Sequence, residues 1–281
     1  MKKIVIFANS GKPEVLSVAR EMKDYFEKKG MTVVKTDLSS GLKDLEIPAP
    51  DADLAVSLGG DGTVLTCAYI LRGTGIPLIP VKTGTFGYIT DTQASEYKAV
   101  FEAFESGKTG TVARMMLDAS VERAGKVCFS TTVLNDVALT AASRARMVHL
   151  NLDIDGVNAA ELKGDGILIA TPTGSTAYSL AAGGPVLDAS LQGIVINPVC
   201  PFTMSSRPLV VGSDKNITIR IPEQSGRLSL TADGHLGFDL ENGDVIHVCR
   251  SRHEVLLVEN PERKFIEVLR DKLGWAGGFT K

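Results

Sequence analysis

The sequence predicts an α/β protein of two domains, the first built on a parallel sheet and the second made largely of β-strands. Its 281 residues exceed the roughly 150 of an ordinary single domain. Strand and helix patterns alternate up to about residue 110, and short β-rich runs follow one another after it. The domains are expected at 1–110 and 111–260, with a C-terminal segment, 261–281, packing back on the first.

In the first part of the chain, apolar runs of strand length alternate with segments whose apolar residues recur at helical spacing. Strands are expected at 4–8, 32–35, 54–58 and 76–81. Helices are expected after Pro13, over 64–71, and from Tyr97 to a stop at Gly107. Such alternation is typical of a parallel, Rossmann-like sheet covered by helices on both faces.

After residue 110 the pattern changes to many short strands separated by Gly, Asp and Asn. Expected strands are 113–123, 127–139, 149–154, 167–171, 194–197, 217–221, 228–231, 245–248 and 255–258. One helix is expected near Ser175, and 265–275 forms a closing amphipathic stretch. Strands at this spacing indicate a sandwich-like, all-β-rich domain.

Composition and charge exclude several function classes. Hydrophobic residues make up 44% and charged residues 22%, so the chain can bury a full core. Lys and Arg number 30 against 33 Asp and Glu, a net charge of -3, which gives no positive field for nucleic acid or anionic membrane. No apolar run reaches about 18 residues, and the run at 1–7 is too short for a signal peptide. We therefore expect a cytoplasmic protein that binds neither nucleic acid nor membrane.

The four cysteines, Cys67, Cys128, Cys200 and Cys249, are far apart and include no C-x-x-C pair. Each has apolar sequence neighbours, so we expect small buried side chains in a reducing compartment. The spacing favours neither a disulfide framework nor a zinc site, and no metal-ligating residues are assigned.

The most informative turn is Gly59-Gly60-Asp61-Gly62-Thr63, placed between an expected strand and an expected helix. Glycines let a backbone approach an anion, and a helix start offers unpaired N–H groups, so Gly59, Gly60, Gly62 and Thr63 are candidate phosphate ligands. A carboxylate there repels phosphate unless it holds a metal ion or accepts a proton, and both tasks belong to phosphoryl transfer. The alternative is a tight turn in which Asp61 is a helix N-cap. The turn is neither a Walker A loop nor a G-x-G-x-x-G fingerprint.

A second polar group of residues lies in the β-rich half. The strand at 167–171 runs into a turn rich in glycine and hydroxyl groups, 171–179, which suits a ligand with hydroxyls or phosphates. The alternative is a helix start capped by Thr173 or Ser175. Asn135 and Asp136 lie inside an apolar run, where they either face a ligand or form a bulge or turn between two strands.

These segments closely resemble the bacterial NAD kinases. The resemblance rests on GGDGTVL at 59–65, on Asn135-Asp136, on DGILIATPTGSTAYSLAAGGPVL at 165–187, and on Lys272-Leu273-Gly274-Trp275. It covers roughly residues 50 to 275. The glycine turn alone is shared with diacylglycerol and sphingosine kinases and with phosphofructokinases, whereas the stretch 165–187 favours the NAD kinases.

The resemblance implies transfer of the terminal phosphoryl group of ATP, as its Mg²⁺ complex, to the 2'-hydroxyl of the adenosine ribose of NAD. Asp61 would then be the catalytic proton acceptor. The implied NAD-binding positions are Asp61, Gly62, Asn135, Asp136, Arg146, Lys163, Asp165, Thr176, Ala177, Tyr178, Ser179, Leu180, Ala181 and His235. A homodimer or homotetramer is also implied. Arg146 and Lys163 would hold the pyrophosphate, and Tyr178 would lie against the adenine or close the pocket.

The sequence departs from the family pattern at three positions. Lys82 stands where asparagine is usual, Asp136 where glutamate is common, and His235 where glutamine is frequent. Two other functions stay open: a lipid kinase of the same superfamily and a non-catalytic nucleotide sensor. The polar turn at 171–179 offers little to an acyl chain, and the intact Asp61 argues against a sensor. We expect the site in a cleft between the Gly59–Thr63 turn and the strands carrying Asn135 and Asp165.

Overall fold

A computed structural model describes residues 1–9, 11, 13–38, 48–84, 87–142, 147–223, 225 and 227–274. The chain divides into two units. The first comprises Met1–Arg114 and Glu254–Lys281, and the second comprises Met115–His253. None of the described helices is long and apolar enough to cross a membrane.

The first unit contains the predicted parallel sheet. Its strands are β1 (Lys3–Ala8), β2 (Thr32–Asp37), β3 (Leu54–Gly59), β4 (Leu78–Lys82) and the short β5 (Thr92–Gln93). They pair in parallel in the order β2-β1-β3-β4-β5. Strand β3 is buried along its whole length, as expected of a strand in the middle of such a sheet.

Three helices pack on this sheet: α1 (Pro13–Lys28), α2 (Asp61–Leu71) and α3 (Tyr97–Glu105). The apolar side of α1 buries Val15, Ala19, Met22 and Phe26, which share one core with the strands. A further helix, α5 (Phe265–Leu273), also belongs to this unit, and the Lys272 ammonium lies 5.7 Å from the centre of the Tyr88 ring.

The second unit has two groups of antiparallel strands around one core, which confirms the sandwich-like prediction. Its strands begin with β6 (Thr111–Arg123), which starts in the first unit, and β7 (Lys126–Val133). They continue with β8 (Asp136–Ala141), β9 (Val148–Ile154), β10 (Val157–Gly164), β11 (Gly166–Ala170), β12 (Gly193–Val199), β13 (Leu209–Gly212), β14 (Ile217–Arg220), β15 (Leu228–Ala232), β16 (Leu236–Leu240) and β17 (Val245–Val258).

One sheet has the order β13-β12-β11-β8-β15-β16, and the strands β10-β9-β14-β17 and the pair β6-β7 form the other side. The shared core takes Leu139 and Ile169 from the first sheet and Leu152, Ile219 and Ile246 from the other. A single 3-10 turn (Gly174–Thr176) and the one-turn helix α4 (Tyr178–Ala181) follow β11.

Several sequence expectations are corrected. The run at 127–139 is two strands, β7 and β8, and the runs at 245–248 and 255–258 are one strand, β17. The helix expected near Ser175 is only the 3-10 turn and α4. Of the cysteines, Cys67 is buried as expected, but Cys128 and Cys200 are exposed, because apolar sequence neighbours do not decide which face of a strand or turn a side chain takes.

Candidate functional site

The glycine turn of the first unit follows β3 directly, and Asp61 is the first residue of α2. Gly60 is the residue before the helix, in an extended conformation with φ -107° and ψ -171°, and no side chain caps this end. The interpretation of Asp61 as a helix N-cap is therefore wrong. Gly60 and Gly62 are exposed, while Asp61 and Thr63 are half-buried.

The Asp61 carboxylate is held by the segment that precedes β5. Its Oδ2 accepts a hydrogen bond from the Tyr88 amide at 2.8 Å. Its Oδ1 accepts from the Thr90 amide at 3.0 Å, from the Thr90 hydroxyl at 2.8 Å and, at 3.4 Å, from the Ile89 amide. A carboxylate with this many donors has a fixed orientation.

The glycines of this region fall into two groups. A Cβ at Gly59 would lie 2.1 Å from the Thr63 hydroxyl oxygen, and one at Gly87 would lie 1.8 Å from Asp61 Oδ1, so packing requires both glycines. At Gly60 and Gly62, no described atom lies within 4 Å of such a Cβ. Packing within the described chain therefore does not explain these two glycines, and the turn leaves room for a ligand to approach the backbone.

In the second unit, Asp233 fixes the backbone around Asn135. Its carboxylate accepts hydrogen bonds from the amides of Leu134 at 2.9 Å, Asn135 at 2.7 Å and Asp136 at 3.2 Å. Asn135 lies between β7 and β8, and Asp136 is the first residue of β8. A turn at Leu134 and Asn135 thus joins the two strands, and this turn does not exclude contact of the Asn135 or Asp136 side chain with a ligand.

The polar turn after β11 packs against the same backbone. The Thr171 amide donates to the Asn135 carbonyl at 2.8 Å, and the Thr171 hydroxyl donates to the Leu134 carbonyl at 2.6 Å. A Cβ at Gly174 would lie 2.1 Å from the Asn135 carbonyl oxygen. The Asn135 and 171–174 segments therefore form one rigid group within the second unit, called here the acceptor cluster together with Asp136 and Asp233.

The acceptor cluster holds buried polar atoms that the described residues do not satisfy. Asn135 Oδ1 and Thr173 Oγ1 are buried, and neither has a hydrogen-bond partner among the described residues. The Asp136 side chain is buried as well, and no described donor bonds to its carboxylate. Unsatisfied buried polar groups are costly, which makes these atoms candidates for contact with a polar ligand.

Two carboxylates in this cluster are destabilised as anions. Burial, with the nearby negative charge of Asp233, raises the pKa of Asp136 from 3.8 to about 7. Burial also raises the pKa of Asp233, although the three amides that donate to it act in the opposite direction. Asp136 thus lacks the hydrogen-bond donors that stabilise the charged form of Asp233.

The other predicted binding residues of this unit take different positions. Lys163 is exposed on β10. Asp165 is exposed between β10 and β11, where the proximity of its carboxylate raises the pKa of the Cys200 thiol. His235 is half-buried in the turn between β15 and β16. Arg146 lies outside the described residues.

The segment 176–181 offers both buried and exposed groups. Thr176 and Ser179 are buried, whereas Tyr178 keeps 46% of its surface exposed. Ser179 is fixed by Asn197, whose side-chain amide donates to the Ser179 carbonyl at 3.0 Å and to its hydroxyl at 3.4 Å. The Tyr178 ring is therefore open to contact with a ligand, and the next residue in the chain, Ser179, is held in place.

Sequence reasoning missed the residues that orient these groups: Asp233, Thr90, Gly87 and Asn197. The only signal for Asp233 was its place before Gly234 in a turn, and its φ of +50° fits such a turn. Thr90 gave no signal, because its role depends on a hydrogen bond to a residue 29 positions earlier.

No group of three or more His, Cys, Asp or Glu side chains among the described residues could hold a metal ion. Mg²⁺ is usually bound through one or two carboxylates together with substrate phosphates. The open backbone at Gly60 and Gly62 leaves space for the phosphates that would carry such an ion.

A glycine turn at the end of a parallel strand, joined in one chain to a β-sandwich with unsatisfied acceptors, is the arrangement expected of a nucleotide-binding phosphotransferase. Residues 44–109 match the family described as ATP-NAD kinase N-terminal domain, and residues 134–260 match the ATP-NAD kinase C-terminal domain. The chain belongs to the NAD kinase family.

Relatives and solved structures agree with this assignment. The NAD kinase of Geobacter sulfurreducens is 38% identical over 98% of this chain and 99% of its own, and that of Treponema denticola is 34% identical over 99% and 98%. The crystal structure of yeast NADH kinase complexed with NADH has a TM-score of 0.89 at 26% identity, covering 99% of this chain and 89% of that one. An NAD kinase from Archaeoglobus fulgidus in complex with ATP shares the fold, with a TM-score of 0.75 at 22% identity and 98% coverage of both chains.

Proposed function

We propose that this protein is an NAD kinase that transfers the terminal phosphoryl group of ATP to the 2'-hydroxyl of the adenosine ribose of NAD, forming NADP. The observation that carries the proposal is the acceptor cluster, in which Asn135 Oδ1, Thr173 Oγ1 and the Asp136 carboxylate are buried without a described donor. The ribose hydroxyls and the amino group of an adenosine are donors of the kind that these atoms need.

The remaining residues of the second unit have supporting roles in this proposal. Tyr178 offers an exposed ring for contact with the adenine. Lys163 and Arg146 supply positive charge for the pyrophosphate, Asp165 and His235 contact hydroxyls or amides of NAD, and Thr176, Ala177, Ser179, Leu180 and Ala181 shape the pocket. The yeast structure of the same fold was determined with NADH bound, which supports a nicotinamide dinucleotide as ligand.

In the first unit, the open backbone at Gly60 and Gly62 binds the ATP phosphates, aided by Gly59 and Thr63. Asp61 contacts the 2'-hydroxyl and accepts its proton. Mg²⁺ enters as part of the MgATP substrate, where it neutralises phosphate charge. Because the transition state of phosphoryl transfer is loose, the chain contributes mainly alignment and charge stabilisation.

Incubation of the purified protein with MgATP and one acceptor at a time tests the function. We expect phosphate on NAD, detected by an NADP-specific dehydrogenase, and none on a diacylglycerol or sphingosine. The relatives reported above give no support to a lipid kinase. Phosphorylation of the lipid and not of NAD would refute the proposal. Running NAD and NADH in parallel determines which oxidation state is preferred.

Three further properties belong to the same proposal. The enzyme would work in the cytoplasm, supply the cell with NADP, and assemble as a homodimer or homotetramer. Size-exclusion chromatography with light scattering tests the assembly, since a mass near the 29.9 kDa of a single chain would refute it.

A further inference from the structure

The two oxygens of the Asp61 carboxylate have unequal surroundings. Oδ1 receives the Thr90 amide at 3.0 Å, the Thr90 hydroxyl at 2.8 Å and the more distant Ile89 amide at 3.4 Å. Oδ1 also lies against the Gly87 backbone, where an added Cβ would approach to 1.8 Å. Among the described residues, Oδ2 receives only the Tyr88 amide, at 2.8 Å.

An ionised carboxylate oxygen has room for about two hydrogen bonds in good geometry. Thr90 alone supplies two to Oδ1, so this oxygen has no capacity left for a substrate. Oδ2 keeps one position for a further donor. The hydrogen bonds thus distinguish two oxygens that are chemically equivalent in a free aspartate.

Thr90 is well placed to fix this distinction. Its side chain is fully buried, and its amide and hydroxyl both point at the same carboxylate oxygen. The last torsion of an aspartate side chain is broad and roughly two-fold, so the side chain itself does not select one orientation. The Thr90 hydroxyl is the only side-chain donor to Asp61 among the described residues, and the remaining donors are backbone amides.

We infer that Thr90 is a positioning residue, which holds Oδ1 of Asp61 so that Oδ2 accepts the proton of the substrate hydroxyl. This inference rests on the proposed function. In the step, the 2'-oxygen forms a bond to the γ-phosphorus, the bond from that phosphorus to the bridging oxygen of ADP breaks, and ADP leaves with the electron pair. The hydroxyl proton passes to Oδ2. Thr90 acts through Asp61, because its own side chain is fully buried.

The variant Thr90→Val tests this role because it removes the hydroxyl and keeps the shape. We expect kcat to fall by about 10- to 100-fold, since a small misplacement of a reacting group costs up to about 10² in rate. The KM for NAD should stay within about two-fold of the wild-type value, because Asp61 supplies only one of the proposed contacts with NAD and the others are made by residues of the second unit. Thr90→Ser, which keeps the donor, should retain wild-type kcat.

Thr92→Val is the matched control. Thr92 is also fully buried, lies two residues further along the chain, and donates its hydroxyl to Asp91 at 3.3 Å rather than to Asp61. We expect wild-type kcat in this variant. If Thr92→Val or Thr90→Ser lowers kcat as much as Thr90→Val does, the effect is structural and the inference is wrong.

Wild-type kcat in a folded Thr90→Val variant would also overturn the inference. If that variant does not fold, as judged by circular dichroism, Thr90→Cys replaces it, because a thiol is a weaker donor of similar size. Its kcat must then lie below that of Thr90→Ser, and equal values would overturn the inference. Failure of the wild-type protein to phosphorylate NAD would instead refute the proposed function, so the two failures are distinguishable.

Discussion

The raised pKa of Asp136 makes the stability of the unliganded protein depend on pH. The folded chain keeps the Asp136 proton up to about pH 7, whereas the unfolded chain loses it near the usual value of 3.8. Between these two values the folded state binds more protons, so the free energy of unfolding falls as pH rises. The stability that the protonated Asp136 contributes to the folded state is fully present below about pH 4, and it is lost by the time the pH passes the folded pKa near 7.

The size of this effect follows from the shift. A difference of about three pKa units corresponds to roughly 4 kcal/mol. Asp136→Asn keeps the size of the side chain and removes the ionisation. At pH 8 we expect the unfolding free energy of the variant to exceed that of the wild type by about 2 to 4 kcal/mol. At pH 4, where Asp136 is protonated in the folded wild type, the two proteins should differ by less than about 1 kcal/mol.

Urea unfolding followed by circular dichroism, without nucleotide and at several pH values from 4 to 8, measures the difference in unfolding free energy between Asp136→Asn and the wild type. Asp239→Asn serves as the control, because Asp239 is exposed on β16 in the same unit. The difference in unfolding free energy between Asp239→Asn and the wild type should not grow with pH. A gap between Asp136→Asn and wild type that stays constant across this range, or a less stable variant at pH 8, would refute the reasoning.

Three further predictions test the glycine turn, Asp61 and Tyr178. Gly59→Ala should lower Tm because its Cβ would lie 2.1 Å from the Thr63 hydroxyl oxygen. Gly60→Ala should keep the wild-type Tm and raise the KM for ATP. Equal Tm values for the two variants would contradict the different roles of the two glycines. Asp61→Asn should lower kcat by about 10² to 10⁴, and wild-type kcat would exclude a catalytic role. It should also lower Tm, because an NH₂ group replaces one carboxylate oxygen and cannot accept a hydrogen bond from the Tyr88 amide at one position or from the Thr90 donors at the other. Tyr178→Ala should raise the KM for NAD and leave Tm unchanged, because 46% of the tyrosine is exposed; an unchanged KM would exclude contact with the adenine.

The sequence predicts the long buried strands and the edge strand β2, but it misses the edge strands β10 and β13. Strand β3 reads as a continuous apolar run because both of its faces are covered. By contrast, β10 and β13 lie at the edges of their sheets and expose most of their residues, so their sequences lack the expected pattern. The run at 127–139 has the pattern of one strand because apolar residues, Val133 and Leu134 before it and Val137 and Leu139 after it, surround the turn at Asn135.

The site is predictable where its chemistry is carried by local motifs, and not where it depends on contacts distant in sequence. Asp61 and Asn135-Asp136 stand out because polar groups interrupt apolar or glycine-rich segments. Asp233 bonds to amides 97 to 99 positions earlier in the chain, and Thr90 bonds to Asp61 across 29 positions. No spacing rule connects such residues, since the sheet brings them together only after folding.

Asp61 of the first unit and Asp136 of the second have opposite hydrogen-bonding environments, which fits the different tasks that the proposed function gives them. Asp61 receives hydrogen bonds from three successive residues, so its position is fixed before any substrate arrives. Asp136 receives none from the described residues, and burial makes its charge unfavourable. A group that must accept a proton along one line benefits from the first environment, because alignment then costs nothing during the reaction. A group that binds a ligand benefits from the second, because the donors of the ligand remove a cost that the empty pocket carries. Under the proposed function, the donors that the fold provides therefore suit Asp61 to proton acceptance and Asp136 to ligand binding.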